Sequence, residues 1–363
     1  MTDLRVSPST SSAGDSLPIS HPRLPSWAPA LVAVIAVSLS GLLALFAGLG
    51  LAALIINAVI IFLIGVPVWS LVLENRRAAL DRLMTSLIWV SFSVAVAPLV
   101  WLIWMVVSRG ISAINVQFLT YSMRNVVGEG GGIYHAIIGT LLVTLVAALI
   151  SVPIGLLTAI YLVEYGKGSR LARWITFLVD VMTGIPSIVA GLFALALFVL
   201  LFGPQIRTGF MGSVAVSLLM IPIVVRSSEE MLRLVPDDLR EASYALGVPK
   251  WRTILKMVVP TALGGIITGV TLAVARVIGE TAPLLLTAGL TDSVNTNPFS
   301  DRMTTLPVYI YSQFTSPGIR PPDGSEPPGF ARAWGAALVL IVIVMLLNLV
   351  ARIIGKIFAP KKS

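Results

Sequence analysis

The chain has 363 residues, of which 56% are hydrophobic and 12% are charged, and its net charge is +8. Soluble domains average about 25% charged residues, so this composition excludes a soluble protein and indicates an integral membrane protein. The sequence contains no cysteine, which excludes disulfides and thiolate metal sites, and its two histidines are too few for a histidine metal cluster. The basic excess is typical of cytoplasmic loops and does not indicate nucleic-acid binding.

Long apolar segments predict an all-α polytopic membrane protein with about eight transmembrane helices. Residues 1–26 predict a disordered cytoplasmic tail, because they are rich in Ser and Pro. Residues 27–86 predict a transmembrane hairpin with a turn near Gly48 and Gly50, followed by a basic loop. The other predicted spans are 87–107, 133–163, 174–202, 212–225, 257–289 and 332–354. Helices are expected because a lipid-spanning segment must satisfy its own backbone polar groups.

The basic residues predict the orientation of the chain in a prokaryotic cell membrane. With both termini in the cytoplasm, 18 of the 25 Lys and Arg residues fall on cytoplasmic segments and 6 on outer segments. Residues 355–363 then form a basic cytoplasmic tail. The remaining basic residue, Arg276, falls inside a predicted span.

Arg276 and Glu280 lie four residues apart in the segment AVARVIGETAPLLL and are predicted to share one helix face. Arginine at the centre of a membrane helix costs about 2.5–3.5 kcal/mol on insertion scales, so it normally faces the protein interior and has a partner. Its guanidinium is suited to binding an oxyanion. The alternative is a buried pair that fixes helix packing. Arg226 ends the span 212–225, where residue chemistry alone indicates a positive-inside arginine.

Two further sequence features suggest local function. The segment TGIPSIVAGLF contains Gly184, Pro186 and Gly191, which are candidates for a helix break whose backbone N–H groups could receive an anion. Close helix packing through small residues explains these glycines equally well. The sequence carries no G-x-x-x-x-G-K-[ST] motif, so a separate subunit would have to hydrolyse any ATP that drives the protein.

The polar segment 226–260 resembles the EAA loop of ABC importer permeases. A Glu-Ala-Ser triplet is followed, after three intervening residues, by glycine, and an apolar stretch further on ends in proline; these residues are Glu241, Ala242, Ser243, Gly247 and Pro260. The resemblance implies two short helices that dock on a nucleotide-binding subunit. Gly247 is well placed to end the first of them. The alternative is an amphipathic loop lying on the membrane surface.

From about residue 74 to the end, the chain resembles the phosphate-specific ABC importer permeases of the PstA type, which are inner-membrane components of binding-protein-dependent transport systems. The resemblance is carried by GIYHAIIGTLLVT, VPIGLLTAIYLVEYG, GIPSIVAGLF, VVRSSEEMLRLVPDDLREASYALGVPKW and ARVIGETAPLL. It implies a five-helix type I ABC importer (MetI-like) core over 133–354, preceded by a first family helix and a periplasmic loop over 87–132. The amino-terminal hairpin is a departure from the family pattern.

The resemblance also implies partners and a substrate pathway. The partners are a PstC-like sister permease, a PstB-like ATPase dimer that uses ATP and Mg, and a PstS-like phosphate-binding protein. The implied pathway residues are Arg276, Glu280 and Arg226. No cofactor, metal site or catalytic residue is expected in this chain.

Four alternatives remain open at this point. The substrate could be another oxyanion such as sulfate or molybdate, or the chain could be the PstC-type sister subunit. A passive anion channel would also place arginine in a span, but it has no use for an ATPase-docking loop. A membrane enzyme would need a cluster of His, Asp or Glu, and the spans contain chiefly Asp180 and Glu280.

Overall fold

The computed structural model describes residues 24–358, which form helices and connecting segments without a strand. Residues 1–23 and 359–363, which contain most of the two predicted tails, lie outside the described part. The chain divides into two compact units, Met1–Leu102 and Ile103–Ser363. The helices are α1 (Ala28–Ala47), α2 (Leu51–Leu73), α3 (Arg76–Gly110), α4 (Val116–Thr120), α5 (Tyr134–Ile160), α6 (Arg170–Thr183), α7 (Ser187–Phe202), α8 (Gly209–Arg233), α9 (Asp237–Ala245), α10 (Lys250–Thr253), α11 (Val259–Val277), α12 (Ala282–Thr287), α13 (Leu306–Thr315) and α14 (Pro328–Phe358).

Over residues 24–358, seven helical segments are long and apolar enough to cross a membrane, and the bent pair α6–α7 would make eight. This confirms the all-α polytopic fold class. In the first unit, α1 and α2 are joined at Gly48, which has a left-handed φ of 64°, and Gly50, which precedes α2 in an extended conformation. Glycine adopts the left-handed conformation without the steric cost that a Cβ atom brings.

The predicted basic loop after the hairpin is wrong, because α3 already begins at Arg76. The Asn75 side chain accepts a hydrogen bond from the Ala78 N–H at 2.9 Å and so caps the helix. No glycine or proline interrupts the residues that follow until Pro98, so the helix continues into the apolar segment. Arg76, Arg77 and Arg82 therefore lie on the first turns of a helix.

The second unit is built on close packing of α5 against α8. The Ser213 hydroxyl donates to the Val143 carbonyl at 3.0 Å. A Cβ atom on Gly155 would meet the Val224 side chain at 2.6 Å, so only glycine permits this approach of the two helices. Small residues and hydroxyls commonly join membrane helices in this way.

The predicted span 257–289 is wrong at both ends. At its start, α10 and a π-helical turn, Ile254–Val258, lead without interruption into α11, so the helix runs from Lys250 to Val277. At its end, the helix stops before Gly279, and the separate helix α12 follows. Pro283 explains this ending, because it has no N–H to donate to the residue 279 carbonyl and its ring would clash there.

The predicted span 174–202 is likewise not one straight helix, since α6 and α7 meet at 110°. Gly184 and Pro186 lie in the three-residue break between them. The prediction is wrong for Gly191, which lies inside α7. A Cβ atom there would meet the Pro283 Cα atom at 2.7 Å, so Gly191 permits α7 to pack against α12.

Helix α8 is longer than the predicted span 212–225 and continues to Arg233. The first eight residues of the predicted loop 226–260 are therefore helical. The Ser227 hydroxyl and the Glu229 carboxylate on this last part of α8 have partners within the protein. The Ser227 hydroxyl donates to the Ile223 carbonyl at 2.8 Å.

Candidate functional site

Arg276 lies in the last turn of α11 and is exposed on the isolated chain. It makes no salt bridge with any residue of the described range 24–358. The prediction that Glu280 shares its helix face and pairs with it is wrong, because α11 ends at Val277. Glu280 is half-buried in the break before α12, where its N–H donates to the Val277 carbonyl at 3.1 Å.

Arg226 is held by carboxylates. Its guanidinium donates to Asp180 of α6 and, at 2.9 Å, to Glu229 one turn further along α8. Glu229 is 5% exposed and also accepts from Arg233 at 2.6 Å. The four side chains form a charge-balanced cluster at the carboxyl-terminal part of α8, so Arg226 is less available to an anion than Arg276 is.

The two arginines lie at different depths. Helices α8 and α11 run antiparallel, since the Gly269 and Gly265 backbones approach Ser227 and Met231 respectively. This register places Arg276 opposite the turn of α8 that contains Met220. At 1.5 Å per residue, Arg226 lies about 9 Å from that level, toward the carboxyl-terminal end of α8.

The predicted first short helix of the EAA-like loop is α9. It ends in a Schellman motif: the Gly247 N–H donates to the Tyr244 carbonyl at 2.9 Å, and the Val248 N–H donates to the Ser243 carbonyl at 3.2 Å. Gly247 has a φ of 75°, the left-handed conformation that this motif requires. The second predicted short helix is α10, which is continuous with α11, so Pro260 lies in the first turn of α11 but in the interior of the longer helix Lys250–Val277.

The Glu-Ala-Ser triplet presents two different faces of α9. Glu241 and Ala242 are exposed, whereas Ser243 is buried. The Ser243 hydroxyl lies 2.8 Å from the Thr253 hydroxyl, and this hydrogen bond joins α9 to α10. Serine at this position therefore has a contact that alanine could not make.

An ion pair between the carboxyl-terminal end of α5 and α9 was not predicted from the sequence. Glu164 of a π-helical turn, Tyr161–Tyr165, and Arg240 of α9 form a buried ion pair at 2.9 Å. In the sequence, a carboxylate stands at the end of a span that is predicted to be cytoplasmic, where basic residues are expected, and this exception could have indicated the pair. Asp180, the partner of Arg226, was noted in the sequence only as one of the few acidic residues within the predicted spans.

The described residues offer no metal site, since no three His, Asp or Glu side chains of residues 24–358 are grouped to hold an ion. The polar groups that the fold brings together are instead cationic side chains and their carboxylate partners. Such an arrangement can hold and release an anion.

Comparison with known proteins places this chain in a family. Residues 151–363 match the family described as "Binding-protein-dependent transport system inner membrane component". The chain is 49% identical to the phosphate transport system permease protein PstA 1 of Mycobacterium tuberculosis (strain CDC 1551 / Oshkosh), over 79% of this chain and 92% of the relative. It is 38% identical to PstA of Pasteurella multocida, over 79% of this chain and 97% of the relative.

A solved structure of the MetNI methionine ABC transporter in inward-facing conformations is also similar. It has 19% identity and a TM-score of 0.49, over 63% of this chain and 95% of that chain. The relatives from Mycobacterium tuberculosis and Pasteurella multocida and one from Mycobacterium leprae carry the PstA name, which disfavours the PstC-type alternative. The chain therefore belongs to the family of binding-protein-dependent transport system inner membrane components and, within it, to the PstA-type permeases.

Proposed function

We propose that this multi-pass membrane protein is the permease subunit of an ATP-driven importer of inorganic phosphate. The observation that carries the proposal is the free guanidinium of Arg276 at the end of an apolar helix. A planar guanidinium donates two parallel hydrogen bonds to a phosphate oxyanion. The phosphate transport named for the relatives supports the choice of ion.

The exposure of Arg276 on the isolated chain supports a partner. An arginine that faced lipid at this depth would cost about 2.5–3.5 kcal/mol on insertion scales. A second permease that covered this face and enclosed a watered pathway would remove that cost. We assign this role to a PstC-like sister permease, with Arg276 on the pathway between the two chains.

Glu280 and Arg226 complete the proposed pathway. Glu280 lies four residues beyond Arg276 in the helix break, and its negative charge would weaken the hold of the site on phosphate and favour passage. Arg226, about 9 Å closer to the cytoplasm by helix rise, would receive phosphate after separation from Asp180. A phosphate that moved between two arginines would never be bound tightly by either. The N–H groups freed at the break near Gly184 and Pro186 are candidates for a further anion contact.

Coupling to ATP is assigned to α9. Its free surface carries Glu241 and Ala242, and Leu246 at its end is 83% exposed. A small apolar surface beside a carboxylate is suited to a cleft in a soluble partner. We propose that a PstB-like ATPase dimer binds here and supplies the ATP and Mg, and that a PstS-like protein delivers phosphate outside. This requires both termini and α9 to be cytoplasmic.

The test is transport by the assembled complex in liposomes with ATP inside. The chain is reconstituted with its sister permease, ATPase and binding protein, and uptake of radiolabelled phosphate is measured. We expect uptake that depends on ATP. An excess of unlabelled phosphate should abolish uptake of the label, whereas the same concentration of sulfate or molybdate should leave it nearly unchanged. Competition by sulfate or molybdate would show that the substrate is another oxyanion. Anion flux without ATP would show that the protein is a channel and not an importer.

A further inference from the structure

Helix α9 is attached to the rest of the chain through the buried guanidinium of Arg240. The Arg240 side chain is 9% exposed and the Glu164 side chain is 4% exposed. The Glu164 Oε1 atom accepts from Arg240 Nε at 3.0 Å and from Nη2 at 2.9 Å. The contact joins residues 76 positions apart in the sequence. Arg240 belongs to α9, and Glu164 belongs to the π-helical turn that continues α5.

The remaining donors of Arg240 bind three other places. Nη2 donates to the Leu232 carbonyl at 2.9 Å, near the end of α8. Nη1 donates to the Val235 carbonyl at 2.5 Å, in the turn before α9, and to Asp237 Oδ1 at 3.1 Å, in the first turn of α9. One side chain therefore fixes α9 to α5 and to α8 at the same time.

The π-helical turn at the end of α5 places the carboxylate for this contact. A π-helical turn contains one residue more than an α-helical turn and changes the direction of the side chains that follow. Glu164 lies in this turn and points into the protein, although the adjacent Tyr165 is 50% exposed. The Glu164 carbonyl also accepts from the Lys250 ammonium, which binds the same turn to the start of the α10–α11 helix.

We propose that Glu164 and Arg240 are positioning residues that transmit movement of α9 to α5, so that α5 follows the ATPase-bound surface as a rigid body. This inference rests on the proposed function, in which an ATPase moves α9. A guanidinium with bonds to α5, α8 and α9 resists sliding because its donors are fixed in one plane.

The main test uses a double variant that keeps the site folded. Removing one partner alone leaves a buried unpaired charge, and the protein then fails to fold for reasons unrelated to coupling. Replacing a buried ion pair with apolar residues of similar volume is tolerated well, so Glu164→Leu with Arg240→Met is the informative change. The matched control is Asp237→Asn, which removes the 71% exposed partner of the same guanidinium and leaves the α5 contact intact.

The first readout is phosphate transported per ATP hydrolysed by the reconstituted complex. We expect the double variant to assemble and hydrolyse ATP at the wild-type rate and to transport at least fivefold less phosphate per ATP. Asp237→Asn should keep the wild-type ratio. A wild-type ratio in the double variant would overturn the inference, as would an equal loss in the control.

The second readout follows the distance between α5 and α9 directly. The chain has no native cysteine, so spin labels on Leu157→Cys in α5 and Asp238→Cys in α9 report only these helices. In the wild-type background, we expect the same distance between the labels in the nucleotide-free and the vanadate-trapped complex. In the double variant, we expect the distance to differ between these two states. A distance that changes with nucleotide in the wild-type background would overturn the inference.

These readouts separate the inference from the proposed function. If the wild-type complex transports phosphate and only the coupling result is negative, the inference fails and the importer function stands. If the wild-type complex takes up no phosphate although it assembles, the proposed function itself fails.

Discussion

The backbone of Gly191 in α7 lies against Pro283 of α12, so closely that a Cβ atom on Gly191 would meet the Pro283 Cα atom at 2.7 Å. Helix α7 follows the 110° bend after α6, and α12 follows the break after Arg276. The contact therefore joins the two interrupted segments of the second unit. Its integrity is expected to matter for the path that Arg276 is proposed to line.

We predict that Gly191→Val reduces phosphate uptake at least fivefold and destabilises the protein, because overpacking typically costs about 1–3 kcal/mol. The measurements are uptake and the thermal midpoint of the purified chain. Gly184→Ala is the matched control, since the nearest atom to its new Cβ is the Val181 carbonyl oxygen at 3.6 Å. An equal loss in both variants would mean that the α6–α7 break, and not the Pro283 contact, is the sensitive feature.

Arg276→Gln is predicted to lower phosphate uptake by roughly 10- to 150-fold, because a hydrogen bond to a charged group contributes about 1.5–3 kcal/mol. Assembly with the partner subunits, measured by co-purification, should be unchanged. Arg276→Lys keeps the charge without the planar donors and should retain an intermediate rate. Arg320→Gln, which removes an exposed arginine from an outer segment, is the control and should have no effect. Normal uptake by Arg276→Gln would remove this residue from the pathway.

Asp180→Asn is predicted to lower the apparent KM for phosphate and to lower the maximal rate. Loss of the Asp180 charge releases Arg226 toward phosphate and makes its surroundings more positive, so phosphate binds better and leaves more slowly. Folding should hardly change, since Asp180 is 59% exposed and exposed ion pairs contribute about 0–1 kcal/mol.

The control for Asp180→Asn is Glu230→Gln, which removes an exposed carboxylate from α8 that makes no salt bridge within residues 24–358. It should leave both transport parameters unchanged. Unchanged KM and maximal rate in Asp180→Asn would show that Arg226 does not act through release from Asp180.

Gly247→Ala is predicted to weaken binding of the ATPase subunit roughly fivefold, because a side chain at the left-handed φ of 75° costs about 1 kcal/mol or more. No atom lies within 4 Å of the new Cβ, so the whole effect comes from the backbone at the end of α9. Binding is measured by titrating the detergent-solubilised permease with the ATPase. Gly264→Ala, at an equally open position inside α11, should bind normally; wild-type binding by Gly247→Ala would contradict a role for the α9 ending.

The contacts of Glu74 predict that the stability of the base of the amino-terminal hairpin depends on pH. Its carboxylate accepts from the Ser70 hydroxyl at 2.5 Å and from the Leu24 N–H at 2.6 Å, and Arg82 lies 3.4 Å away. The Ser70 hydrogen bond, then the Leu24 hydrogen bond and the Arg82 charge, hold the pKa of Glu74 below its ordinary value of 4.5. A lowered pKa stabilises the folded state above pH 4.5, and this stabilisation is lost as pH falls through the folded-state pKa.

Protonation of Glu74 should therefore release the segment around Leu24. We predict lower protection of the Leu24 segment from amide hydrogen exchange in Glu74→Gln at pH 7, and a similar loss of protection, relative to the intrinsic exchange rate at each pH, in the wild-type chain on acidification. Asp81→Asn, a nearby change on α3, is the control and should leave exchange unchanged. Equal protection in Glu74→Gln and wild type would rule out this carboxylate as the anchor.

The all-α fold, the positions of most spans and the turn at Gly48 and Gly50 followed from the sequence, because apolar length and glycine conformation are local properties. The end of α9 at Gly247 followed for the same reason. The early start of α3 and the extension of α8 past Arg226 did not follow from the sequence. An apolar run shows which residues lie in lipid, but the helix can continue beyond them.

The partners of charged side chains were decided only by the tertiary structure. Spacing alone paired Arg276 with Glu280, but Pro283 ends the helix between them and separates the two. Arg226 and Asp180 are 46 residues apart, and Arg240 and Glu164 are 76 apart, so no local pattern could join them. Sequence determines where a charge is costly, whereas the packing of helices α5, α6, α8 and α9 determines which opposite charge comes within reach to offset that cost.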